Sequence, residues 1–243
     1  MSGYLPQAIL LDLDDTILSF DAGAEGCWRD ICARFAPRLV GCEPADLLAA
    51  IRASRGWFWS DPERHRCGRL KLEAARCEIV TVALLQLGVA APALADEIAR
   101  SYAAEREASI QPFPGAIETL RTVRERGVRL ALITNGRAED QRRKMETHGL
   151  NSLFDCVLIE GEFGVGKPDP RVYQHVLDQL TVTPREAWMV GDNLEWDVAA
   201  PQRLGIVGIW LDVLGTGLPE ASAVTPDRII RSLSELLPEP NRN

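Results

Sequence analysis

The chain has 243 residues, 46% of them hydrophobic and 26% charged, with a formal net charge of −8. That profile fits a soluble globular protein of one large domain or two moderate ones, long enough to bury a sizeable core. It lacks the basic stripe of a nucleic-acid binder, and no apolar run reaches the length of a signal-peptide core or a membrane span, so the expectation is a cytoplasmic protein with no nucleic-acid or membrane partner. In chain order, the first apolar run of strand length is Ala8 to Leu11, followed at once by Asp12, Asp14 and Asp15. Further runs cover Val128 to Ile133, Cys156 to Ile159, Ala187 to Val190 and Ile206 to Leu211. All are continuously apolar rather than alternating, as in strands buried on both faces of a parallel sheet.

Helical segments separate the later runs. Pro114 to Arg126 stops at Gly127, Arg137 to His148 stops at Gly149, and Leu194 to Leu204 stops at Gly205, each glycine suiting a helix C-terminus. Asp169 to Leu180 begins beside Pro170, which suits a first helical turn. From about residue 112 onward helix and strand alternate, which predicts an α/β fold with a Rossmann-like, doubly wound parallel sheet. Residues 18–108 break that alternation. Four helices are predicted there, over Ala24 to Leu39, Ala45 to Arg55, Leu70 to Leu87 and Ala91 to Ala108, with no strand. The predicted organisation is therefore a core domain of residues 1–17 and 109–243, interrupted by an all-helical cap domain of residues 18–108. Gln111 to Gly115 reads as the return hinge, and the tail from Pro238 to Asn243 reads as frayed.

Six cysteines, Cys27, Cys32, Cys42, Cys67, Cys77 and Cys156, show no Cys-x-x-Cys spacing and read as reduced, mostly buried thiols. Only three of the 27 basic residues are lysine: Lys71, Lys144 and Lys167. Where a chain so rich in arginine places a lysine in a turn, as at Lys167, a compact and flexible ammonium is indicated.

Ligands of open parallel sheets bind beyond the carboxyl ends of the strands. The predicted strands are followed in turn by Asp12 and Asp14, by Thr134-Asn135-Gly136, by a loop holding Lys167, and by Gly191-Asp192-Asn193 with Asp197 beyond. Carboxylates packed after an apolar strand are costly unless paired or bound to metal. Asp12-Leu13-Asp14 thus suggests a Mg²⁺ site, a nucleophile with its acid/base partner, or both. Singly, each segment has a plainer reading: Asp14 and Asp15 as helix caps, Thr134 to Gly136 and Gly191 to Asn193 as ordinary turns, Asp197 as an exposed helical residue. Those readings fail together, because the sheet places all four segments at one edge. The stretch Gly161 to Pro168 nearly spells a nucleotide-binding P-loop, but Pro168 stands where a Ser or Thr hydroxyl must bind Mg²⁺.

The four segments resemble the four motifs of the haloacid dehalogenase superfamily, in order: Asp12-Leu13-Asp14-Asp15-Thr16, Thr134, Lys167, and Gly191-Asp192 through Asp197. The likeness spans nearly the whole chain, including a helical cap inserted after the first motif. It implies that Asp12 is the nucleophile and takes the phosphoryl group as an aspartyl-phosphate. It implies that Asp14 is the acid/base, that Thr134, Asn135 and Lys167 bind the phosphate, and that Thr134 and Lys167 act in catalysis. Asp12, Asp192 and the backbone carbonyl of Asp14 would hold Mg²⁺, with Asp197 supporting the acidic cluster. Elementary chemistry agrees: an anionic carboxylate attacking an anionic phosphate needs cations beside it.

In the dehalogenases of this superfamily the second aspartate is replaced, since no leaving alcohol needs a proton. Asp14 therefore points to a Mg²⁺-dependent phosphatase of small phosphorylated metabolites, monomeric or dimeric. The alternatives on the same scaffold are a 2-haloacid dehalogenase, a sugar-phosphate mutase and a non-catalytic phosphate-binding module. The mutases resemble Asp-x-Asp-Gly-Val rather than Asp-x-Asp-Asp-Thr, and the binding module predicts damaged motifs. The cap is expected to set the substrate, with Trp57, Trp59, His65 and Arg66 as candidates. Trp57, Phe58 and Trp59 have the competing reading of a sealed cap core.

Overall fold

The computed structural model describes residues 5–21 and 23–238. The tail beyond residue 238, where fraying is expected, lies outside the described residues. Strand β1 (Ala8–Leu11) is followed by six helices before the next strand: α1 (Ala24–Phe35), α2 (Pro44–Ser60), α3 (Pro62–Leu70), α4 (Leu72–Gln86), α5 (Pro92–Ser109) and α6 (Ala116–Glu125). The chain then runs through β2 (Arg129–Thr134), α7 (Ala138–Thr147), β3 (Cys156–Ile159), the single turn α8 (Glu160–Phe163), α9 (Pro170–Leu180), β4 (Ala187–Gly191), β5 (Val207–Leu211) and β6 (Arg228–Ile230). A π-helical turn over Leu194–Ala199 and the short α10 (Ala200–Gln202) separate β4 from β5.

The six strands form one sheet in the order β3-β2-β1-β4-β5-β6, and every neighbouring pair is parallel. This is the α/β, Rossmann-like arrangement that the apolar runs predict. All four residues of β1 are buried, because β1 lies between β2 and β4 and helices cover the sheet. Leu11 stands in register with Leu132 on one side and Val190 on the other. Residues that follow β1, β2 and β4 therefore emerge side by side at one edge, where the connections diverge to either side. On one face Leu10, Ile133 and Met189 join Val172, Tyr173 and Val176 of α9 in a single apolar cluster. Asp169 caps α9, its side chain accepting from the Arg171 N–H.

Two compact units divide the chain. One holds residues up to Ser19 and from Gln111 onward; the other is Phe20–Ile110. The second unit is helical throughout, and its own core gathers Trp28, Ile31 and Phe35 of α1, Leu47 and Ile51 of α2, Val80 and Leu84 of α4, and Ile98 and Tyr102 of α5. Trp28 stacks on Tyr102 with ring centroids 3.7 Å apart.

Several boundaries depart from the sequence reading. Helix α2 runs on past Arg55 to Ser60, because Phe58 is buried in a small cluster with Ala75 and Ile79 of α4. The helix predicted over Leu70 to Leu87 is α4, and a further helix that the sequence reading did not include, α3, precedes it: Asp61 caps α3, its side chain accepting from the Arg64 N–H, and the chain turns at Lys71 between the two. The helix predicted over Leu194 to Leu204 is mostly a π-helical turn, in which the Ala200 N–H reaches back five residues to Glu195 O, followed by the short α10. The sixth strand has only three residues, too short to register as an apolar run. The cysteines are free, but Cys32 alone is fully buried and Cys67 is exposed, so "mostly buried" does not hold for them.

Candidate active site

Asp12 leaves β1 with its backbone N–H still paired to Val190 O at 3.0 Å, so its position is an extension of the sheet. Its Oδ1 accepts from Lys167 Nζ at 2.7 Å. The same ammonium donates to Asp197 Oδ1 at 2.6 Å. Both Lys167 and Asp197 are buried. Burial works against the charge on Lys167, yet the two carboxylates outweigh it and hold its pKa above the ordinary lysine value. Asp197 Oδ2 accepts from the Asn193 N–H at 3.1 Å. The π-helical turn turns Asp197 inward, a frequent use of that geometry at functional sites. Gly191 makes room for it, since a Cβ there would stand 2.3 Å from the Asp197 carboxylate carbon.

Asp12, Asp192 and Asp197 form a three-carboxylate cluster whose ligand oxygens all lie within 4.8 Å of one another. Asp192 is exposed, and its backbone carbonyl is held by Trp210 Nε1 at 2.8 Å. So close a group of like charges resists ionisation. The Asp12 carboxyl is pushed up to about 7, by burial first and by Asp197 and Asp14 in addition, against the opposing pull of Lys167. Asp192 reaches the surface as a residue, but the protein packed around its carboxyl desolvates that group and pushes it up to about 8, with Asp12, Asp197 and Asp15 adding to the rise. Hard oxygen donors carrying excess negative charge are what a divalent cation such as Mg²⁺ requires.

The loop that carries Lys167 is clamped by Asn135. Asn135 Oδ1 accepts from the Lys167 N–H at 2.7 Å and Asn135 Nδ2 donates to Lys167 O at 2.8 Å. Glu160, buried at the end of β3, accepts from the Gly136 N–H at 3.0 Å. Gly166 fits between these two side chains, where a Cβ would stand 2.4 Å from Asn135 Oδ1. Thr134 lies at the end of β2 and is buried, its Oγ1 accepting from Gln141 Nε2 at 2.6 Å.

Over most of its length the chain is similar to known proteins. The family model of haloacid dehalogenase-like hydrolases covers residues 6–205. The chain belongs to this family. Phosphoserine phosphatase of Thermus thermophilus is 34% identical, over 94% of this chain and 96% of that one. Among solved structures, the magnesium-bound HAD hydrolase YfnB of Bacillus subtilis superposes with a TM-score of 0.72 at 22% identity, covering 96% of this chain and 97% of that one. A 2-haloacid dehalogenase of Pseudomonas syringae superposes with a TM-score of 0.61 at 28% identity, with 96% of each chain covered.

In this hydrolase the second aspartate has partners that sequence reasoning missed. Both oxygens of Asp14 accept from Lys144 Nζ at 2.7 Å. Gln141 Nε2 reaches Asp14 Oδ2 at 3.1 Å, Thr134 Oγ1 at 2.6 Å and Asn135 O at 3.0 Å. The scarcity of lysine that draws attention to Lys167 applies equally to Lys144. Its setting, Gln141-Arg142-Arg143-Lys144, resembles a solvated basic helix face and conceals the signal. Asp15 is a turn residue with a left-handed φ of 56°. The candidates in the helical unit lie apart from the carboxylates in sequence. Trp57 is exposed beneath the Arg64 guanidinium, 4.1 Å from its ring centroid, so it does not seal a core as Phe58 does. Trp59 meets His65 edge-on, and Arg66 pairs with Glu63 at 2.7 Å. Among the described residues no helix is long and apolar enough to cross a membrane.

Proposed function

We propose that this hydrolase is a Mg²⁺-dependent phosphatase that cleaves small phosphomonoesters through a phosphorylated Asp12. The observation that carries the reading is Asp12 joined by one buried ammonium to Asp197, within reach of Asp192, and followed two residues later by a second carboxylate at Asp14. Asp12 attacks phosphorus while the bond from phosphorus to the ester oxygen breaks, and Asp14 gives that oxygen its proton. Water then attacks the same phosphorus, giving a proton back to Asp14 as the bond to Asp12 breaks. Inorganic phosphate leaves, with Asp12 again an ionised carboxylate and Asp14 again the protonated acid with which it entered the cycle.

Asp12, Asp192 and the backbone carbonyl of Asp14 are the proposed holders of Mg²⁺, because the oxygens of Asp197 are already engaged by Lys167 and the Asn193 N–H. When bound, the ion neutralises charge between nucleophile and phosphate. Lys167 lends a second positive charge to Asp12, and Asn135 keeps that lysine in place through its main chain. Thr134 and the backbone N–H groups after it face the position of the phosphate oxygens in this reading. A dehalogenase, the activity named for several structural neighbours, has no leaving alcohol to protonate and so no use for Asp14.

The test is hydrolysis of p-nitrophenyl phosphate with and without Mg²⁺, beside Asp12→Asn and beside halide release from 2-chloropropionate. Activity that requires Mg²⁺, drops about a thousandfold or more in the variant, and releases no halide is the expected result. Full activity in Asp12→Asn, or halide release at a comparable rate, overturns it.

A further inference from the structure

The Asp14 carboxylate is bound from one side by a single helix face. Gln141 and Lys144 stand three residues apart on α7 and therefore point the same way. Gln141 is buried, and the Lys144 side chain is only 10% exposed. Lys144 takes both carboxylate oxygens of Asp14 at 2.7 Å, which sets the carboxylate's position, and Gln141 reaches Oδ2 alone, which sets its rotation. Gln141 ties the same carboxylate, through one amide nitrogen, to the Thr134 hydroxyl and to the Asn135 carbonyl. The neighbour Arg142 pairs with Glu162, and Arg143 with Asp140.

We propose that Lys144 and Gln141 are positioning residues that orient Asp14 for proton transfer to the leaving oxygen and align it with the Thr134–Asn135 strand end. The proposal rests on the reading of Asp14 as the acid/base and adds two residues that hold it. Its consequence is selective. An ester whose leaving oxygen is basic needs the proton from Asp14 during cleavage; one whose leaving group is already a stable anion does not. The loss of Lys144 therefore penalises only the first kind in kcat/KM, which reports the first irreversible step.

The experiment compares phenyl phosphate, a poor leaving group, with p-nitrophenyl phosphate, a good one, in the full chain with Mg²⁺ present. The ratio of the two kcat/KM values is independent of how much of a variant is folded, so a loss of stability does not imitate the effect. In Lys144→Met, kcat/KM for phenyl phosphate is expected to fall about tenfold or more, within the range of general acid catalysis, and that for p-nitrophenyl phosphate less than about threefold. Gln141→Met shows a smaller split of the same sign, and Lys144→Arg recovers part of the loss. Asp14→Asn is the control and shows the largest split. A split in Asp14→Asn with none in Lys144→Met overturns the positioning role and leaves Asp14 as the acid. No split in Asp14→Asn overturns the reading of Asp14 itself, and the proposal with it. An equal rise of KM for both substrates in Lys144→Met assigns the lysine to phosphate binding and also overturns the proposal.

Discussion

Asp12, Asp192 and Asp197 crowd three carboxylates around one lysine, and the excess charge has a thermodynamic consequence. An unfolded chain ionises its aspartates near 3.8, whereas the folded protein holds Asp12 at about 7 and Asp192 at about 8. The folded state thus binds these protons more tightly. The stability they contribute is complete below the unfolded value and is lost as pH rises through 7 and 8. Two outcomes are expected of the metal-free protein. Its thermal midpoint falls between pH 5 and 8.5, more steeply than that of Asp192→Asn, and saturating Mg²⁺ flattens the fall. The Mg²⁺ affinity, followed by calorimetry, rises over the same interval because protons and metal compete for the same oxygens. A pH-independent affinity would show that the carboxylates do not hold the ion.

At the level of elements, the site is made by loops that stiff neighbours hold in register. The Lys167 loop makes one turn bond of its own, from the Asp169 N–H to Gly166 O, and is otherwise held by Asn135, which closes both ends of one side-chain amide on its main chain. Asn135→Ala removes both bonds, at about 1–3 kcal/mol for partly buried partners left unpaired. Urea unfolding should show that loss. Because Lys167 Nζ then wanders from Asp12, kcat should fall further than the stability change explains, with the far strands β5 and β6 unaffected in amide exchange. The π-helical turn after β4 is the counterpart on the other side of β1. Its wider turn carries Asp197 to Lys167, and Gly191 leaves the space that this requires.

For the whole molecule, the two compact units have separate apolar cores. Ile51 is fully buried in the core of Phe20–Ile110, and Leu10 in that of the sheet. Ile51→Ala leaves a cavity and costs about 2–5 kcal/mol. Hydrogen exchange should show the loss concentrated in α1, α2, α4 and α5, while amides of β1, β2 and β4 keep their protection, as expected where cooperative units coincide with cores. Uniform loss across both units would indicate a single cooperative core.

Periodicity and the chemistry of strand ends made much of this legible in the residues alone. β1 and β3 fall on the runs Ala8 to Leu11 and Cys156 to Ile159, because a strand buried on both faces has no polar positions to disguise it. Asp12, Thr134 and Asp192 follow from the same pattern, since each sits just past an apolar run, whereas Lys167 stands out as a lysine in a turn of an arginine-rich chain. The short edge strand β6, the helix α3 and the π-helical turn were not legible, because each depends on packing rather than on a repeat. The partners of Asp14 were decided by the tertiary structure. Local sequence marks Gln141 and Lys144 as part of a charged helix, and only the parallel pairing of β1 with β2 swings that helix face onto a carboxylate 130 residues away.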